Sequence, residues 1–458
     1  MRPVNTNARS LLDNVLRLRG RSDAATLAVA LGVSVPSIHR MVRERGNEVV
    51  RLGTTKNARY ALRRALRGQV SSIPVYAIDT KGRGQQLAFM DLVAPQGCVL
   101  DVKSMGWPAP LGNHSWWGGM PYPLQDMRPQ GFLGRSFAKQ ISRDFGVAEN
   151  PEVWSDDDVI YVLTLRGSDN QGNLIIGESA YRSYLGVLTQ PVDCIAEPAL
   201  RDRYAELAQI ATQYGGGGSS AGGEFPKFTA ARIFAGALTP HVIVKFSGAD
   251  DSTAVRRWSD LLICEHLALE VLDHHSRPAA SSRIIQAHGR TLLEVERFDR
   301  VGDFGRVATA SLASLDGAFV GMGNGSWVEA TTRLAKEGVL PPTLIEGICT
   351  LWWFGRLIAN NDMHFGNLAF LLNSEISLAP TYDMLPMLYA PLAGGEVPQR
   401  QFEAVLPMPA EQEAWSIAFK MAIAFWDAAS TDKRITAGFR EICLANLQML
   451  TMIGERLT

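Results

Sequence analysis

Residues 357–384 read LIANNDMHFGNLAFLLNSEISLAPTYDM and carry the densest set of groups able to do chemistry. An apolar helix pattern (Leu344, Ile345, Ile348, Leu351, Trp352) ends in the polar cluster Asn360, Asn361, Asp362 and His364. A strand pattern over 368–372 follows Asn367, and a second strand or turn delivers Asp383. Asp, Asn and Asp in two loops flanking a short hairpin suit magnesium-dependent phosphoryl transfer. One carboxylate orients the acceptor hydroxyl, while an amide oxygen and a second carboxylate hold the metal against the phosphates. Asn and Asp also serve as plain turn residues. Here they lie between strongly apolar runs, where polar side chains are costly without a purpose.

A second set precedes it. Six of the nine residues 215–223 are glycine, in a segment GGGGSSAGGEFPK. Such a run frees backbone N–H groups to converge on an anion, although Gly/Ser linkers share the composition. It leads into a strand pattern at 241–246 (HVIVKF) with Lys245 alone among apolar residues, either at a strand end reaching water or held to meet a phosphate. An amphipathic helix follows (Val255, Trp258, Leu262, Val271), carrying Glu265 and Glu270. Either could pair with Lys245, but helix carboxylates are commonly exposed, and neither is counted in the site. LLEVERF at 292–298 is the next strand.

The elements that position these groups belong to a chain of 458 residues, 46% hydrophobic and 20% charged, which can bury a real core. No run of about 18 apolar residues is present to cross a membrane. MRPVNTNARS has no apolar h-region and does not read as a secretory signal. The five cysteines are widely spaced, without CxxC or Cys/His clusters, and read as buried reduced thiols. A cytoplasmic location is the expectation.

The net charge of −1 conceals an asymmetry: residues 1–69 hold 14 Lys/Arg against 4 Asp/Glu. Leu11, Leu12, Val15 and Leu16 predict a helix over 8–18, and Asp23 caps a second carrying Leu27 and Leu31. Gly32 makes a turn, and Ser34 caps a third helix with Pro36 in its first turn. Ile38, Met41 and Val42 face inward there, while Ser37, His39, Arg40 and Arg43 face out. Strand runs at 48–52 and 59–62 follow, joined by a loop with Lys56. The whole resembles a winged helix-turn-helix, with Ser34, Ser37, His39, Arg40 and Arg43 toward DNA and Lys56 and Arg59 on the wing. Beyond it, strands are expected at 75–78, 86–89 and 159–165. The last follows Asp156, Asp157 and Asp158, read as a solvated charge cluster. Residues 104–133, rich in Gly, Pro and Trp, read as ordered but irregular.

Taken in order, VYAIDTKGRG, GMPYPLQDMRP, DDDVIYVLTLRG, SSAGGEFPK, VIVKF, VERFDR, NDMHFGN and LAPTYDML make residues 73–458 resemble the HipA family of bacterial toxin serine/threonine kinases. The resemblance implies an α+β, two-lobed protein-kinase-like fold, here preceded by a small winged helix-turn-helix domain. The organisation is then 1–69 for that DNA-binding domain, 70–195 for a HipA-like N-terminal subdomain, 196–305 for the nucleotide-binding part of the N-lobe, and 306–458 for a helical C-lobe. Asp362 becomes the catalytic aspartate, and Asn367 with Asp383 the magnesium ligands. ATP would be held by Ser220, Ala221, Gly222, Gly223, Lys245, Glu296, Arg297, Phe298, His364, Asn367 and Asp383. Ser220, or Ser219 beside it, falls where the family autophosphorylates. His364 would chiefly brace its loop.

Two positions depart from the family pattern: Gly366 stands where a lysine is usual, and Phe225 where a polar residue is usual. Gly366 removes a charge near the γ-phosphate, so transfer could be slow. The fused N-terminal module also departs, because the family pairs with a separate helix-turn-helix antitoxin. Expected partners are therefore a protein substrate, DNA, an antitoxin protein and, for a two-fold DNA site, a second copy of the chain. Two other readings follow from the same residues. One is a transcriptional regulator whose kinase-like body senses nucleotide; the other, ranked lower, is a metal-dependent nuclease using Asp362, His364, Asn367 and Asp383.

Overall fold

A computed structural model of the chain describes residues 6–54, 57–111, 115–215 and 225–457. The first unit opens with α1 (Thr6–Arg19), which buries Leu12 and Leu16. After β1 (Ser22–Asp23), the Asp23 carboxylate accepts from Thr26 N at 2.8 Å and starts α2 (Ala24–Leu31). Gly32, left-handed at φ 63°, ends it. Ser34 then caps α3 (Val35–Arg45), and the chain bends by 102° between the second and third helices. β2 (Val49–Leu52) and β3 (Arg59–Leu62) pair antiparallel, with β1 on the far side of β3. Leu27, Ile38, Met41, Val42 and Tyr60 close this small core.

The second unit holds β4 (Ile73–Ile78), β5 (Gly84–Leu92), β6 (Cys98–Val99) and β7 (Trp116–Trp117). It continues with α4 (Gly131–Phe145), α5 (Asp156–Arg166), β8 (Leu174–Ile176) and α6 (Glu178–Val187). Its sheet has the order β7-β6-β5-β4-β8. The strand expected at 159–165 is helical. Ser155 and Asp158 form a reciprocal capping box, and Asp156, Asp157 and Asp158 occupy the first turn, where the helix dipole favours carboxylates. An apolar run such as VIYVLTL has no periodicity of its own that separates strand from buried helix. These three carboxylates are not simply solvated: they pair with Arg128, Arg64 and Arg67 respectively. Two of those arginines come from the basic N-terminal segment. Backbone bonds reinforce the joint, from Arg64 N to Leu92 O (2.9 Å) and Ala94 N to Leu62 O (2.8 Å).

The third unit follows α7 (Leu200–Gly215) with β9 (Lys227–Ala231), β10 (His241–Phe246), α8 (Thr253–His274), β11 (Ser282–Ala287) and β12 (Arg290–Glu296). The sheet runs β11-β12-β10-β9, entirely antiparallel. Helix α8 is buried along nearly its whole length rather than on one stripe. On the sheet, Glu294 is 2% exposed and accepts from Arg232, Arg283 and Tyr204, which together satisfy a carboxylate that could not otherwise be buried. A hairpin of β13 (Arg300–Val301) and β14 (Gly305–Arg306) leads out.

The fourth unit is mainly helical: β15 (Thr309–Ser311), α9 (Leu312–Phe319), α10 (Trp327–Lys336), α11 (Leu344–Leu357), β16 (Ala369–Leu372), β17 (Ile376–Leu378), α12 (Gln412–Thr431) and α13 (Ala437–Leu457). Trp426 of α12 is fully buried and donates to Leu357 O at 3.0 Å, tying α12 to the end of α11. Four cysteines are buried; Cys194 is partly exposed, contrary to expectation, and all five are free thiols. Among the described residues no single helix is long and apolar enough to cross a membrane.

Between β12 and β13 lies a buried charge cluster in which Arg297 and Arg300 both bond the Asp299 carboxylate. Burial would raise the Asp299 carboxyl, but the two guanidiniums and the Gly172 N–H outweigh it and hold it well below the usual range. A depressed carboxylate contributes stability that is fully present above the ordinary carboxylate value near about 4 and is lost as pH falls toward its folded value. Urea denaturation should therefore find Asp299→Asn less stable than the wild type at neutral pH, yet losing less of its remaining stability on acidification below about pH 4.

Candidate active site

Two residues past the end of helix α11, Ala359 turns into the left-handed region at φ 60°, and the chain enters the loop 360–367. Asn360 is 6% exposed and links two segments. Its Oδ1 accepts from Asp362 N at 3.0 Å, and its Nδ2 donates to Asp383 O at 3.3 Å. Asp362 stands exposed at the loop tip. Asn367, buried, donates through Nδ2 to Asp362 O at 2.8 Å, so its amide oxygen is the atom left for a cation. His364 starts the short 3-10 turn Phe365–Asn367, accepting at Nδ1 from Gly366 N at 3.0 Å. Trp327 Nε1 holds the His364 carbonyl at 3.2 Å.

Lys245 is the penultimate residue of β10, yet at 6% exposed its side chain is buried and does not reach out to water. Its ammonium donates to both Glu265 oxygens at 2.5 and 2.7 Å and also pairs with Asp383. Glu265 Oε1 in turn accepts from Asp383 N at 3.1 Å. The left-handed backbone at Asp383 (φ 52°) turns that amide and its side chain toward one lysine–glutamate pair. Burial would lower the Lys245 ammonium, but the charges of Asp383 and Glu265 win and hold it above its ordinary value. Burial also works against Asp383; Lys245, with Lys227 and His364 adding, keeps that carboxyl below its ordinary value. Glu265 is raised, chiefly by burial.

Three residues belong here that sequence reasoning left out. Glu265 was set aside as a common helix carboxylate, yet it is fully buried against Lys245; Glu270 is exposed and lies against His266. Asn360 was visible as half of an Asn-Asn pair, but its cross-loop bonds were not. Lys227 lies directly opposite Lys245 in the β9–β10 register, hence on the same sheet face, and acts on Asp383. Its signal was the lysine closing the SSAGGEFPK motif.

The remaining expected residues scatter. Ser219, Ser220, Ala221, Gly222 and Gly223 lie outside the described residues, as does Lys56. The Glu296 carboxylate is taken by Arg232 at 3.1 Å and Leu238 N at 3.0 Å, and Arg297 turns to Asp299. Phe298 stacks on Tyr382 (centroids 5.6 Å apart), whose hydroxyl donates to Gly366 O at 2.7 Å. Phe225 is buried edge-on against Trp258 of α8 at 4.6 Å, with the Lys245 ammonium 6.0 Å from its ring. A Cβ at Gly366 would come within 2.8 Å of the His364 ring, so a lysine there would require the imidazole to move. His39, Arg40 and Arg43 are exposed on α3, while the Ser34 and Ser37 hydroxyls bond each other at 2.9 Å and Arg59 lies 4.0 Å from Asp23.

Among the described residues no group of three His, Cys, Asp or Glu gathers as a dedicated metal cage. Asn367 and Asp383 instead offer two hard oxygen donors, a set that suits magnesium, which keeps waters and phosphate oxygens in its shell.

A sheet lysine paired with a glutamate of the neighbouring helix, together with an Asp/Asn loop on a helical lobe, belongs to a two-lobed α+β protein. Residues 219–446 match the family model described as the HipA-like C-terminal domain, and residues 69–185 match that of the YjjJ-like toxin, middle domain. Over 447 residues the chain is 34% identical to Toxin YjjJ of Escherichia coli (strain K12), covering 96% of this chain and 97% of that one. The chain therefore belongs to the HipA-like toxins, with Toxin YjjJ as a relative along nearly its whole length. Solved structures also resemble it. One is Shewanella oneidensis MR-1 HipA in complex with HipB and operator DNA (TM-score 0.47, 14% identity, 86% of this chain and 96% of that one). Another is the Helicobacter pylori proinflammatory kinase CtkA (TM-score 0.36, 10% identity, 50% and 88%). Likenesses this distant say nothing about activity.

Removing one member of a buried ion pair strands the other. Glu265→Ala should lower unfolding stability by about 3–5 kcal/mol in chemical denaturation, whereas Lys245→Met combined with Glu265→Leu should cost clearly less.

Proposed function

We propose that the chain is a toxin acting as an ATP- and magnesium-dependent serine/threonine protein kinase on an essential cellular protein. The observation that carries this reading is the Lys245–Glu265 pair shared with Asp383, set opposite the loop that presents Asp362. Lys245, held charged by two carboxylates, would bind phosphate oxygens, with Lys227 beside it on the sheet. Asp362 would orient the acceptor hydroxyl and take its proton as the hydroxyl oxygen bonds the γ-phosphorus and ADP leaves with the bridging oxygen. Asn367 and Asp383 would hold magnesium, which supplies charge neutralisation on the phosphates. Ser220 or Ser219 is the proposed site of autophosphorylation.

One observation favours a second reading. Gly366 offers no cation, and the His364 ring occupies the space a side chain would need there. A body that binds nucleotide yet transfers phosphate slowly would act as a sensor in a DNA-binding regulator. Incubation with magnesium and γ-labelled ATP, followed by peptide mapping, separates the two. Label on the peptide containing Ser219 and Ser220, absent in Asp362→Asn, is the expected result. ATP binding without label in the wild type would establish the sensor.

The N-terminal module is proposed to bind DNA through His39, Arg40, Arg43 and the hairpin of Arg59 and Lys56, with Ser34 and Ser37 at the start of its third helix. Two copies reading a two-fold site and an antitoxin protein are further proposed partners. DNA affinity should fall with salt at a log–log slope of about −0.9 per phosphate neutralised, and Arg40→Ala with Arg43→Ala should flatten that slope. Affinity independent of salt would remove the DNA-binding proposal.

A further inference from the structure

Loop 168–172, between α5 and β8, belongs to the second unit, yet its polar groups close on the segment that leaves β12 for the helical lobe. Arg300 Nη2 donates to Asp169 Oδ1 at 2.8 Å and Asn170 O at 2.5 Å, and its Nη1 donates to Gly172 O at 3.1 Å. Gly172 N donates to Asp299 Oδ2 at 2.9 Å, and Arg306 Nη2 to Ser168 O at 2.5 Å. Arg297 lies 3.7 Å from Asp169. Two guanidiniums, those of Arg297 and Arg300, thus share two carboxylates, Asp169 and Asp299, while Arg306 holds the loop by its backbone.

Phe298 sits between two members of this cluster, Arg297 and Asp299, and its ring is the one that stacks on Tyr382 beside Asp383. Residues 296–298 end β12 and lead toward β13, and on the kinase reading this segment is the one that receives the purine of the nucleotide. Its conformation is held from outside both lobes. Arg297 and Arg300 are 9% and 3% exposed, whereas Asp169 is 65% exposed. Asp169 therefore anchors two buried cations while tolerating substitution without leaving a cavity.

Resting on the kinase reading, we propose that Asp169 is a positioning residue for the nucleotide: from the second unit it holds Arg297 and Arg300, and through them the 296–298 segment that receives the base. It touches no reacting atom, so its loss weakens nucleotide binding and leaves phosphoryl transfer intact once ATP is bound.

The test uses the full-length chain. Titration with a non-hydrolysable ATP analogue and magnesium gives affinity, and steady-state labelling gives KM for ATP and kcat. Asp169→Asn should raise both the dissociation constant and KM about threefold to tenfold, with kcat changed less than about twofold, and Asp169→Glu should restore binding. Asp169→Asn that binds like a tightly binding wild type overturns this proposal alone, as does a loss confined to kcat or to thermal stability. A wild type that binds no nucleotide overturns the kinase reading and this proposal with it.

Discussion

Lys245, Glu265 and Asp383 form the arrangement on which the rest of the site depends. A buried lysine near the end of a strand and a glutamate on a buried helix are each costly to remove from water. Together they are tolerable, because the ammonium donates to both glutamate oxygens and to Asp383. The pair requires β10 and α8 to face each other, so it fixes the third unit internally. Its link to Asp383 then ties that unit to the helical lobe. A charge arrangement of this kind contributes little net stability compared with apolar packing, but it has one satisfactory geometry. A phosphate-binding site needs that property, since misplaced charges would have to reorganise during reaction.

Ion pairs recur wherever one unit meets another. The first turn of α5 gives one aspartate each to Arg64, Arg67 and Arg128, and the β12–β13 segment is pinned by Asp169 and Asp299. Two arginines of the basic N-terminal segment are thereby committed to the body of the protein. The cations that remain exposed on α3, Arg40 and Arg43, are the ones to weigh for an anionic partner. The same joints place the first unit against the C-terminal end of β5, the central strand of the five-stranded sheet, through backbone bonds as well as charges, so the two units share a seam and are not simply tethered.

The two departures from the family pattern acquire physical content in three dimensions. Phe225 is a core residue, packed edge-on to Trp258 two residues ahead of β9. Gly366 is hemmed in by the His364 ring on one side, while its carbonyl accepts from Tyr382 on the other. The missing side chain is matched by a neighbour that uses the room.

Much of the architecture was legible in residue types alone. Caps at Asp23 and Ser34, the turn at Gly32, the strand around Lys245 and the loop from Asn360 to Asn367 are local features, set by backbone conformation and by hydrogen bonds reaching three or four residues. Asp362, Asn367, Asp383 and Lys245 stood out because polar groups among apolar runs are costly without partners. The errors share one cause. Whether 159–165 is strand or helix, whether Glu265 is solvated or buried, and whether Asp156, Asp157 and Asp158 face water all depend on what packs against them from distant parts of the chain. Burial is a property of the assembled structure, and it decided which carboxylates hold the fold together and which stand at its surface.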